Sequence, residues 1–102
     1  MATRRSEDTV LEAKKSRTKP PSMFKVLLLN DDYTPMDFVV HILKRFFRKQ
    51  EPEATEIMMK VHHDGYGVAG VFTFEIAEAK VLQVNKYSKD HQHPLKCVME
   101  RD

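Results

Sequence analysis

The stretch from Lys25 to Val40 constrains the fold of this chain more than any other. An apolar run, Val26 to Leu29, has the length of a buried strand. It stops at Asn30, Asp31 and Asp32, whose side chains bond nearby backbone and favour turns. Thr34, Pro35 and Asp37 then mark a helix start: a hydroxyl placed to cap, a proline suited to the first helical position, and an acid in the first turn. A strand and a helix are therefore joined by a short loop that carries two carboxylates and an amide. Taken alone these are ordinary turn and cap residues, so a role beyond punctuation needs a second feature that converges on the loop.

Downstream, Met36, Val39, Ile42, Leu43, Phe46 and Phe47 recur at intervals of three and four, which predicts an amphipathic helix. Ala54, Ile57, Met58, Val61 and His62 repeat that spacing in a second helix, opening close to Pro52 and ending before Gly65. His62 continues the apolar stripe and is directed inward or into a groove, whereas His63 is rotated away. Val68 to Phe74, rich in β-branched and aromatic residues, predicts a second strand. Thr73 is placed to cap a third helix running from Phe74 to about Lys89, with Ala77, Val81 and Val84 facing in and Glu75 in the first turn. Asp90 to Pro94 break it, and Leu95 to Met99 form a last strand. The expectation is an α+β fold of order βααβαβ: a small two-layer domain with a three-stranded antiparallel sheet and three helices on one face.

Composition narrows the class. At 102 residues and 41% hydrophobic content, one domain is expected, from about Met23 to the end. Residues 1–22 mix Arg4, Arg5, Lys14, Lys15, Arg17 and Lys19 with Glu7, Asp8 and Glu12 and finish in Pro20-Pro21. They hold too few large apolar side chains to offset ordering entropy, so this extension is expected to be a disordered tether. No stretch is long and apolar enough to span a bilayer and no signal-peptide pattern is present, so a soluble cytoplasmic protein is expected. The lone Cys97 cannot form an internal disulfide and reads as a small buried apolar residue. A net charge of +2 gives no argument for nucleic acid.

If the first loop and the end of the second helix lie side by side, Asn30, Asp31 and His62 offer an amide oxygen, a carboxylate and a ring nitrogen around one spot. Met36, Val39, Met58, Val61 and Leu95 form an apolar wall beside it. A set of acceptors next to an oily hole complements a small ammonium attached to an apolar side chain: the free N-terminus of a peptide with a bulky first residue.

Leu29 to Val39, Met58 with Val61-His62, Gly70 to Thr73, Glu75 to Val81, and His93-Pro94-Leu95 with Cys97 together resemble the ClpS family of bacterial Clp protease adaptors over roughly Ser22 to Arg101. The resemblance implies a non-enzymatic, cofactor-free and metal-free monomeric adaptor. It would deliver N-degron substrates beginning with Leu, Phe, Tyr or Trp to the ClpA unfoldase and its ClpP peptidase. It implies that Asn30, Asp31 and His62 hold the α-amino group, that Asp32 and Thr34 shape the pocket entrance, and that Met36, Val39, Met58, Val61 and Leu95 line the hole. It further implies that Glu75 and Lys80 face the unfoldase's N-terminal domain and that the tail enters its pore. Ala69 and Phe74 depart from the family pattern, where a cysteine and a smaller residue are common.

Two rival readings stand beside this one. A metal-dependent hydrolase would draw on Asp31, Asp32, His62, His63, His91 or His93, but no metal-ligand spacing such as HExxH appears and no nucleophile sits beside a base. An RNA-binding or ribosome-associated module would use the basic tail, yet no aromatic residue is interleaved with its charges for base stacking.

Overall fold

The structure, a computed structural model, describes residues 19–102. The expectation of a disordered tether therefore falls, for residues 1–18, outside the described residues. Lys19 to Ser22 form no regular structure and are exposed.

The elements are β1 (Met23–Leu29), α1 (Met36–Phe47), α2 (Glu51–Asp64), β2 (Tyr66–Thr73), α3 (Phe74–Asp90) and β3 (Lys96–Arg101). The expected βααβαβ order is found. The most apolar strand, β1, takes the centre of the sheet, paired antiparallel with β2 on one side and β3 on the other. Alternation then sorts its side chains. Val26 and Leu28, both fully buried, join Ala69 of β2 and Cys97 of β3 in one cluster with residues of all three helices, including Val39, Ile42, Leu43, Met58, Val61 and Val84. Leu27 points to the other face, where Val68, Val98 and Tyr66 stay substantially exposed. The helices thus cover one face. In the pairing of β1 with β2, Val26 faces Gly70 but Leu27 faces Val68, which leaves Ala69 as a bulge residue.

Several local expectations are corrected. Strand β2 opens two residues early, because Tyr66 and Gly67 pair with Leu29 and Leu28. Strand β3 opens after Leu95 and runs on to Arg101, since Glu100 and Arg101 continue the ladder opposite Lys25 and Phe24. Neither threonine caps its helix through the side chain: the N-cap position of α1 is Pro35, and Thr73, at the N-cap of α3, makes no side-chain cap bond. The Thr34 hydroxyl donates instead to Asp31 Oδ2 at 2.7 Å, a charged acceptor that outcompetes a backbone cap.

Edge strand β3 is blunted by α3. The Asn85 amide accepts from the Cys97 N–H (2.8 Å) and donates to the Cys97 carbonyl (3.0 Å), satisfying backbone that has no strand beyond it. Cys97 itself is a core residue, as expected, and burial pushes its thiol up to about 12. One polar group is left over: Ser88 Oγ, fully buried on α3, has no hydrogen-bond partner among the described residues. Ser88→Ala removes an orphaned hydroxyl and adds a better helix former, so we expect it to raise stability by about 1 kcal/mol, read from urea midpoints at unchanged slope.

Candidate functional site

Three backbone features bring the first loop against the end of α2. Gly65 takes a left-handed conformation (φ 92°) that ends the helix, and its N–H bonds back to the Val61 carbonyl. The Gly65 carbonyl then accepts the Asn30 N–H at 2.9 Å, tying the residue after β1 to the residue after α2. Gly67 lets α2 lie close on β2, since a Cβ there would sit 2.8 Å from Val61 Cγ2 and 3.2 Å from the Ile57 carbonyl oxygen.

Within the loop, Asp31 is the organiser. Its Oδ1 accepts the N–H groups of Tyr33 and Thr34, each at 2.8 Å, and its Oδ2 accepts the Thr34 hydroxyl. This is an Asx turn with a third bond added. Partial burial works to raise the Asp31 pKa, but those bonds, together with the nearby His93, outweigh it and hold the carboxyl below its ordinary value of 3.8. The carboxylate is ionised at any pH at which the fold is expected to operate.

The result is a hollow of about 210 Å³ lined by Asn30, Asp31, Asp32, Thr34, Met36, Val39, Met58, Val61 and His62. Its floor is apolar, with Val39, Met58 and Val61 buried, and its rim is polar, with Asn30, Asp32 and His62 exposed. The size suits one side chain rather than a length of peptide. Nine of the ten residues named for this site thus surround one space. Leu95 does not: it is buried at 4% exposure in the core and borders a separate depression with Asn85, Lys89 and His93. His63 is exposed and does not line the hollow.

The two remaining residues lie apart, on α3. Glu75 is exposed in the first turn. Lys80 is half-buried, and its ammonium donates at 2.7 Å to the Phe46 carbonyl, one of the unpaired carbonyls in the last turn of α1, beside the rings of Phe47 and Phe72. It is a structural tie between helices as much as a surface charge.

Two features escape a reading of the chain alone. A larger groove of about 490 Å³ runs between α1 and α2 and shares Met36 and Met58 with the first hollow. His91 and His93, considered above as metal ligands, instead join an aromatic cluster. The His93 ring is 4.3 Å from that of Phe38, and His91 Nδ1 is 2.8 Å from the Tyr87 carbonyl oxygen. Among the described residues no group of three or more His, Cys, Asp or Glu side chains is arranged to hold a metal ion, and no helix is long and apolar enough to cross a membrane.

Comparison with known proteins places this geometry among relatives. Residues 19–98 match the family described as "ATP-dependent Clp protease adaptor protein ClpS". The ATP-dependent Clp protease adapter protein ClpS of Rhodospirillum centenum is 60% identical over 97 residues, covering 95% of this chain and 89% of its own. That of Nitrosospira multiformis is 58% identical over 102 residues, covering all of both chains. Among solved structures, Agrobacterium tumefaciens ClpS2 bound to L-phenylalaninamide superposes with a TM-score of 0.79 at 38% identity, covering 81% of this chain and all of that one.

Proposed function

The chain belongs to the ClpS family of ATP-dependent Clp protease adaptors, and from that premise we propose that it captures N-degron substrates by their first residue and delivers them to a ClpA-type unfoldase. The protein is an adaptor, not an enzyme. Asn30, Asp31 and His62 accept hydrogen bonds from the N–H groups of a free α-ammonium, His62 through an unprotonated ring nitrogen. Met36, Val39, Met58 and Val61 receive a Leu, Phe, Tyr or Trp side chain, and Asp32 and Thr34 form the entrance.

The observation that carries this reading is the single-side-chain hollow with acceptors on its rim and apolar residues on its floor. The ligand of the 38% identical ClpS2 supports it, because L-phenylalaninamide combines a free α-amine, a benzyl side chain and no carboxylate. The magnitudes make both halves necessary. A charge-assisted bond contributes about 1.5–3 kcal/mol, and burying a Leu or Phe side chain contributes a further ~1.5–3 kcal/mol.

A peptide array varying only the first residue, each member with a free or an acetylated amine, tests the reading by fluorescence anisotropy. Strong binding of free Leu, Phe, Tyr and Trp termini, lost on acetylation, is the expected pattern; capture indifferent to acetylation refutes it.

Delivery uses other parts of the chain. Glu75, exposed on α3, is available to a basic patch on the unfoldase's N-terminal domain, and Lys80 joins it if its ammonium exchanges the Phe46 carbonyl for a partner's acceptor. Residues 1–22 act as the tether that reaches the unfoldase pore, while 23–102 form the capturing domain, a cytoplasmic monomer that needs no cofactor. Deleting residues 1–18 is expected to leave peptide affinity unchanged and to slow degradation of an N-degron reporter at least several-fold. Full-speed degradation by the shortened chain removes the tether from the scheme.

A further inference from the structure

We propose that the groove between α1 and α2 is a second subsite, which takes the side chain of the substrate's third residue and favours a long aliphatic stem ending in a cation. The inference rests on the capture of a peptide's first residue in the neighbouring hollow and specifies what else that capture reads.

The two spaces are neighbours. Met36 and Met58 line both, so two flexible thioether side chains form a wall common to the two spaces. An extended peptide points residues one and three to the same side, about 7 Å apart. With its first side chain seated against Val39 and Val61, crossing the methionine wall brings the third side chain over the α1–α2 groove. The second side chain faces solvent.

The groove's own chemistry selects the occupant. Val40 and the two methionines make an apolar floor, and methionine adapts its shape to a flexible chain. Lys44 and Glu51 are both lining residues, but their charges cancel in an ion pair of 2.7 Å. Asp37 forms no ion pair and no side-chain hydrogen bond among the described residues and is exposed at the same wall. His41, the other titratable lining residue, is hydrogen-bonded to the Tyr87 hydroxyl at 2.8 Å, so Asp37 is the one charged lining side chain without a partner among the described residues. An apolar stem on the floor with an ammonium or guanidinium near Asp37 matches this lining, as a long cationic side chain does wherever it covers apolar surface.

Peptides beginning Leu-Gly, with Gly, norleucine, Lys or Glu third, test the subsite by fluorescence anisotropy at low ionic strength on the full chain. Expected affinities rank Lys above norleucine, norleucine above Gly, and Glu last. The Lys-to-norleucine step should be about three-fold, the scale of one exposed ion pair. Asp37→Asn should erase that step and Asp37→Lys should invert it, so that Glu outranks Lys. Val40→Gln should erase the norleucine-to-Gly step. The Leu-Gly-Gly peptide should bind Asp37→Asn and Val40→Gln as it binds the parent, and its affinity for Asp37→Lys sets the baseline for the Lys and Glu peptides in that variant. A flat response at the third position, or a ranking unmoved by Asp37→Lys, overturns the subsite while leaving first-residue capture standing. Leu-Gly-Gly binding that persists after acetylation overturns the underlying reading and the subsite with it.

Discussion

Asp31→Ala is expected to weaken capture of a peptide beginning with Leu or Phe by at least ~100-fold, because the carboxylate serves the site twice. It is the rim's only ionised acceptor bonded into the loop, and a charge-assisted bond to the substrate's ammonium accounts for about 1.5–3 kcal/mol, roughly 10- to 150-fold. It also holds the loop itself, through the Tyr33 and Thr34 amides and the Thr34 hydroxyl. Alanine removes both functions. Asp31→Asn separates them, since its amide oxygen can still accept the two backbone N–H groups but carries no charge. Its expected loss is about 10-fold, with a thermal midpoint close to that of the parent. Wild-type affinity in Asp31→Asn would reduce Asp31 to a loop staple and leave the ammonium to Asn30 and His62.

The same carboxylate sets an acid limit. Its folded pKa is depressed, so the bonds it accepts contribute stability that is fully present above the ordinary value of 3.8 and is lost as pH falls through the lower, folded value. Thermal midpoints of the parent should therefore acquire a steeper fall below pH 4 than those of Asp31→Asn. Above that pH, Asp31 does not titrate, and any loss of peptide affinity between pH 5 and 7 belongs to other groups.

The chain announces its elements far better than their arrangement. Val26 to Leu29 read as a strand and Met36 to Phe47 as a helix because each carries its own periodicity, and Gly65 marks the end of α2 because a left-handed residue is needed there. The sheet order β2-β1-β3 leaves no local trace, since it depends on which strand most needs two covered edges. Thr34 misleads for a reason of competition: two groups could receive its hydroxyl, and the ionised Asp31 three residues earlier wins.

Leu95 misleads for a reason of direction. It lies just before β3 and is buried in the same core cluster as Val39, Met58 and Val61, so a residue of the right apolar type is packed into the core without lining the hollow itself. The groove beside the hollow was invisible because no motif describes the space between two helices. Its two methionines were legible only as one wall, whereas they are the wall of both spaces.

Met36, half-exposed as the first residue of α1, is the apolar wall residue at which the size of the mouth can be changed without disturbing the core. Opposite substitutions there should give opposite results. Met36→Trp fills the mouth with a larger, stiffer side chain while Asn30, Asp31 and His62 remain in place, so free-amine peptides lose the burial of their first side chain. The expected cost is ~1.5–3 kcal/mol, about 10- to 150-fold for Leu and Phe termini alike. Met36→Ala lowers the wall on the groove side, giving room for the second branch that a β-branched first residue carries next to its backbone. Ile and Val termini should then gain about 10-fold relative to Leu, the scale on which an apolar pocket discriminates one carbon. Anisotropy titrations of Leu, Phe, Ile and Val peptides against both variants decide the matter. If Met36→Trp binds Leu and Phe termini as the parent does, the first side chain does not enter past Met36, and the hollow beneath it is not where the substrate's first residue is read.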